Sequence, residues 1–182
     1  MTVHDTALSD VKLIEPNLYR DDRGFFMVTF EQQRYAEAGI VGPFVQDNHS
    51  GSKRGVLRGL HYQVRHAQGK LVQVLQGAVF DVAVDLRRSS PTFGRWAGET
   101  LSAENRHQLW IPPGFAHGFL VLSDWAELAY KVTDIYAPTW DRSLRWDDPD
   151  VGIVWPHDPG ASPMLSDKDA AGLLLHEAEV YA

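Results

Sequence analysis

The stretch AVFDVAVDL at 78–86 constrains the fold of this chain more than any other. Ala78, Phe80, Val82, Val84 and Leu86 fall on one side, and Val79, Asp81, Ala83 and Asp85 on the other. A two-residue period is that of a β-strand, whose side chains point alternately to opposite faces. KLVQVLQ runs just before it, and the intervening Gln76-Gly77 predicts a tight turn and an antiparallel hairpin. HQLWI, GFLVL after a Pro-Pro-Gly turn, and AELAYKVTDIY supply further strands, punctuated by 15 Gly and 10 Pro. Two helices are expected. One covers residues 31–38 and stops at Gly39; the other starts near Ser166 and runs through DKDAAGLLLHEA, weakened by Gly172. This set of elements predicts an all-β fold, a β-sandwich or barrel with a few short helices, one near the C-terminus. Within that class the jelly roll is the version whose mouth commonly holds a small ligand.

At 182 residues the chain builds one core rather than two, with no repeat or linker, so residues 1–182 are expected to form a single domain. No run approaches the roughly 20 apolar residues of a membrane helix, and the N-terminus shows no secretory pattern. Cysteine is absent, which excludes disulfides and thiolate chemistry and fits a cytoplasmic location. The formal net charge is −7, and Arg87-Arg88 is the longest basic run, so no nucleic-acid surface is expected. A few convergent cations can still set a local field for an anionic small molecule.

Such cations occur in GVLRGLHYQ (55–63), where Arg58 and His61 interrupt an apolar strand and Lys70 follows. Desolvating unpaired cations is costly, so the strand either lies on the surface or lines a polar cavity. Arg58 and His61 have opposite parity and would point to opposite faces of a regular strand. Gly59 permits a bulge that would realign them.

Several stretches resemble the dTDP-4-dehydrorhamnose 3,5-epimerases. They are DDRGFF (21–26), FVQDNHS (44–50), GVLRGLHYQ, AQGKLV (67–72), VFDVAVDLRRSSPTFG (79–94), LSAEN (101–105), WIPPGFAHGF (110–119), AYKVTDIYAP (129–138) and LSDKDA (165–170). The match runs in order from about residue 10 to residue 175. It implies a cupin-like jelly roll, a homodimer, no cofactor, and a dTDP-linked 4-keto-6-deoxyhexose inverted at C3 and C5.

Inversion beside a ketone needs a base on one face, an acid on the other, and positive charge near the enolate oxygen. His61 matches the family's base, although a strand histidine read alone is more often a core residue. Asp169 matches the aspartate that pairs with it, although Ser166-x-x-Asp169 also reads as a capping-box start. Tyr130 matches the proton donor on the far side of the sugar, although a strand tyrosine is commonly core. Lys70 would stabilise the enolate, and Arg58 and Arg23 suit the diphosphate. His117, Gln46, Asn48, Asp141 and Lys168 match substrate-contacting positions, and Asp81 could orient a site histidine.

The chain departs from the pattern at three places. Val28 stands where the family usually has Glu, Asp141 where it often has Glu, and Ile135 where an aromatic is common beside Tyr136. These bear on nucleotide recognition more than on proton transfer. Relatives that epimerise one carbon share nearly the same residues, so a C3 or C5 mono-epimerase stays open. A metal-dependent cupin is a poor match, because His61-Tyr62-Gln63 lacks the second His of that motif and no Glu follows. A non-catalytic sugar-nucleotide binder would use the same cations but has no need of His61, Asp169 and Tyr130 together.

Overall fold

The computed structural model of the chain describes residues 1–157 and 160–182. Its strands are β1 Thr2–Asp5, β2 Lys12–Glu15, β3 Leu18–Asp21, β4 Gly24–Met27, β5 Gln46–Lys53, β6 Leu57–Gln63 and β7 Lys70–Gln76. They continue with β8 Ala78–Asp85, β9 Trp96–Ser102, β10 Gln108–Ile111, β11 Phe115–Val121, β12 Trp125–Val132 and β13 Asp141–Ser143. Two antiparallel sheets result, ordered β1-β2-β10-β7-β12-β5 and β13-β6-β11-β8-β9, while β3 and β4 pair by themselves. Their inner faces meet in one core, with Val72, Val74 and Leu128 from the first sheet against Val79, Ala83, Leu101 and Phe119 from the second. This is the expected jelly roll.

The predicted hairpin at Gln76-Gly77 does not form. β7 pairs with β10 and β12, whereas β8 pairs with β11 and β9 in the opposite sheet. Gly77 is instead a corner between sheets, with φ +74° and no room for a side chain: a Cβ would lie 2.0 Å from the Trp125 carbonyl oxygen. The reason lies in the two faces of β8. Val79 and Ala83 fill the core between the sheets, and Val82 and Val84 belong to a second apolar cluster with Trp155 and Leu175. A strand apolar on both faces needs cover on both, which the C-terminal segment supplies on the outside.

The first helix forms at α1 Gln32–Glu37, and Gly39 ends it at φ +79°. Tyr35 on its buried face packs with Ile14, Ile40, Leu71 and Trp110, covering the outside of the first sheet. The second helix is far shorter than expected, only α2 Asp167–Ala170. Gly172 sits against Arg145, and Leu173 then exchanges backbone hydrogen bonds with Ser143 and Arg145. Pairing beside β13 wins over helical continuation. Among the described residues no helix is long and apolar enough to cross a membrane.

Candidate active site

A cavity of about 360 Å³ opens between the sheets, and both sheets contribute its walls. β6 and β11 bring Arg58, His61, His117 and Phe119; β5, β7 and β12 bring Gln46, Asn48, Lys70 and Tyr130. Asp141 on β13 and Lys168 on α2 complete one rim. Cross-strand pairing sets His61 directly opposite His117.

The parity conflict between Arg58 and His61 is resolved at Gly59. β11 residues His117 and Phe119 pair with His61 and Arg58, so three steps on β6 oppose two on β11. The extra residue is a bulge, and it turns both side chains into the cavity. Only glycine fits, because φ is +126° and a Cβ would meet the Gly118 Cα at 2.5 Å.

Each histidine is held by a buried carboxylate. His61 Nε2 lies 2.5 Å from Asp169 Oδ1, and His117 Nε2 lies 2.9 Å and 3.0 Å from the two Asp81 oxygens. Asp169 is 3% exposed and Asp81 fully buried. Neither aspartate lines the cavity; both stand behind their histidines. The cap and the dyad at Asp169 are compatible: Ser166 Oγ accepts from the backbone N–H at 3.2 Å, while the side chain turns to His61. Burial raises the Asp169 carboxyl, but hydrogen bonds and the His61 charge outweigh it, so its pKa falls below the ordinary value. Burial pushes the His117 pKa down, with Lys70 and His61 adding to the effect and Asp81 opposing it.

Lys70 is almost completely buried, and its ammonium donates to the His61 carbonyl at 3.2 Å. Desolvation lowers its pKa to about 8, against the pull of Asp141 and Asp81. It therefore remains largely protonated at pH 7 while standing poorly solvated in the cavity. Burial raises the Tyr130 pKa, partly offset by Arg58, which keeps the phenol protonated. Arg58 Nε donates to Ser52 Oγ at 2.9 Å, and Gln46 Nε2 donates to Asn48 Oδ1 at 2.8 Å. Asp141 Oδ2 accepts from the Tyr136 hydroxyl at 3.0 Å and from the Lys168 ammonium.

Arg23 is not brought to this cavity. It sits in the β3–β4 turn with its side chain 90% exposed, paired to Asp21 at 2.5 Å. Val28 and Ile135 do not line the cavity either. Among the described residues no group of three or more His, Asp or Glu side chains converges as a metal site. Sequence reasoning passed over Tyr136 and Gln63 as site residues, and both line the cavity. Gln63 had a legible signal: it shares the parity of His61 on the same strand.

Residues 5–177 match the family model described as dTDP-4-dehydrorhamnose 3,5-epimerase. The chain belongs to that family. The epimerase of Neisseria gonorrhoeae is 58% identical over the whole chain, which spans 55% of that relative's length. The epimerase of Pseudomonas aeruginosa is 57% identical, with 96% of each chain covered. Among solved structures, the 3,5-epimerase of Legionella pneumophila Philadelphia 1 in complex with dTDP-4-keto-L-rhamnose superposes with a TM-score of 0.94 at 54% identity. That superposition covers 98% of this chain and 94% of the other. The Asp141 carboxylate lies at the cavity wall, held by the Tyr136 hydroxyl and the Lys168 ammonium.

Proposed function

We propose that the chain epimerises dTDP-4-dehydro-6-deoxy-D-glucose at C3 and C5, giving dTDP-4-dehydro-L-rhamnose without a cofactor. One observation carries this reading: a carboxylate-held His61 and a protonated Tyr130 stand on opposite sheets of a single cavity. Inversion requires that arrangement, since the proton leaves one face of the carbon and returns to the other.

In this reading Nε2–H of His61 is donated to Asp169, leaving Nδ1 as the basic nitrogen. Nδ1 takes the proton from the carbon beside the ketone, and the electron pair moves onto the carbonyl oxygen as an enolate. Asp169 stabilises the imidazolium that forms. Lys70, desolvated and largely cationic, faces the growing negative charge, where a low-dielectric site makes it most effective. Tyr130 then delivers its phenolic proton to the opposite face. His117, kept neutral by burial and oriented by Asp81, is a donor to the sugar. Arg58 serves the diphosphate; Gln46, Asn48, Asp141 and Lys168 hold the sugar and nucleoside.

The proposal includes a homodimer. The β3–β4 hairpin exposes Tyr19, Phe25 and Phe26, at 58%, 47% and 66%, on a unit that pairs with neither main sheet. Arg23 at its turn would reach substrate only across such an interface.

The test is proton NMR of dTDP-4-keto-6-deoxyglucose incubated with the protein in D₂O. Deuterium is expected at both C3 and C5. Exchange at one carbon would make it a mono-epimerase, and no exchange in a protein that still binds dTDP would leave a binding module.

A further inference from the structure

We infer that Gln63 is a positioning residue that fixes the 134–137 segment and so sets how tightly the nucleotide end of the substrate is held. The inference rests on the proposed nucleotide-sugar site. Gln63 ends β6 and is 3% exposed. Its amide is fully used by backbone. Nε2 donates to the His66 carbonyl at 2.7 Å and the Ile135 carbonyl at 3.2 Å, while Oε1 accepts from the Ala137 N–H at 2.8 Å. One side chain thus ties the carbonyl before Tyr136 and the N–H after it to the catalytic strand.

Tyr136 is the residue so bracketed. Its ring is 54% exposed at the cavity wall, its hydroxyl reaches Asp141, and its N–H donates to Gln46 Oε1 at 3.3 Å. The segment's start is tied separately, with the Asp134 carbonyl accepting from Gln68 Nε2 at 2.8 Å and its carboxylate 3.2 Å from His66 Nδ1. The Ile135 carbonyl and the Ala137 N–H on either side of Tyr136, however, both go to Gln63. Gln63 itself is braced from behind, where the Tyr181 hydroxyl donates to its carbonyl at 2.6 Å. A buried amide with all its polar atoms satisfied by two loops is costly to replace and holds those loops in one geometry. The proton-transfer groups His61, Asp169 and Tyr130 do not contact it through any of these bonds. Its loss should therefore fall on binding and spare the chemical step.

The test compares Gln63→Met, which keeps the volume and removes every bond, with Gln63→Glu, which keeps an acceptor for Ala137. Calorimetry with dTDP measures affinity without turnover, and steady-state kinetics separate kcat from KM. For Gln63→Met we expect dTDP affinity and KM to worsen about tenfold with kcat within about twofold. Adding Gln63→Met to Tyr136→Ala should cost dTDP affinity no more than Tyr136→Ala alone, since the clamp then has nothing to position. Unchanged dTDP affinity in a folded variant overturns the inference, as does an additive loss in the double variant. Should Gln63→Met not fold, Gln63→Glu carries the same comparison. If dTDP binds and responds as expected but no substrate turns over, the clamp stands and the epimerase reading fails.

Discussion

Replacing Asp169 by Asn disturbs the structure little and the proposed chemistry greatly. The side chain is 3% exposed with Oδ1 at 2.5 Å from His61 Nε2, and the amide has the same shape. Ser166 caps the backbone N–H of residue 169, which the substitution leaves in place. What changes is hydrogen-bond polarity and charge. A carboxylate only accepts, so it takes Nε2–H and leaves Nδ1 free. An amide that turns its NH₂ to Nε2 forces the ring proton onto Nδ1 and blocks the base. One that turns its oxygen keeps the tautomer but cannot balance the imidazolium. Opposite charges centred about 4 Å apart at an effective dielectric of about 20 attract by about 4 kcal/mol, roughly a thousandfold in rate. His61 is 33% exposed, and solvent screening trims that figure. The expected fall in kcat is about 10²- to 10³-fold, with KM changed by less than about threefold. Initial rates of deuterium entry at C3 and C5, with parallel dTDP titrations, measure both. Adding Asp169→Asn to His61→Ala should cost nothing further, because the carboxylate acts only through the imidazole. A folded, dTDP-binding variant with kcat within about tenfold of wild type would refute the base–carboxylate reasoning. The same carboxylate links stability to pH. Its folded pKa lies below the ordinary 3.8, so its contribution is present above that value and is lost as pH falls below it.

Tyr130→Phe keeps the packing and removes the acid. Deuterium should still enter, because His61 can return a proton on the face it came from, while inverted product falls about 10²- to 10⁴-fold; parallel loss of exchange and inversion would count against Tyr130 as the donor. Lys70 has a pKa lowered to about 8 by burial, so its ammonium is lost as pH rises through that value. Wild-type kcat/KM should decline on that alkaline limb, and Lys70→Met should slow turnover at neutral pH and abolish the limb. A limb that persists in the variant belongs to another group. Gly59→Ala forces a Cβ to within 2.5 Å of the Gly118 Cα at φ +126°. It should cost about 1–3 kcal/mol of stability by chemical denaturation, and an undisturbed midpoint would mean the bulge does not depend on glycine.

Much of this protein was legible in one dimension. Alternation in 78–86 identified a strand, and the placement of Gly39 ended α1 where expected. The wrong parity of Arg58 and His61 around a glycine pointed to the bulge that brings both into one cavity. These are local properties: the period of a strand, the reach of a side chain, and the φ that only glycine adopts readily. Pairing is not local. Gln76-Gly77 is compatible with a hairpin and with a corner between sheets, and the choice falls to burial of both faces of β8. The helix after Ser166 stops at Ala170 because the backbone beyond Gly172 pairs near β13, a segment distant in sequence. Asp169 could cap or catalyse on paper, and only the approach of α2 to β6 lets its backbone do the first and its carboxylate face His61. The residue types carry the chemistry, but long-range packing decides which of them share a cavity.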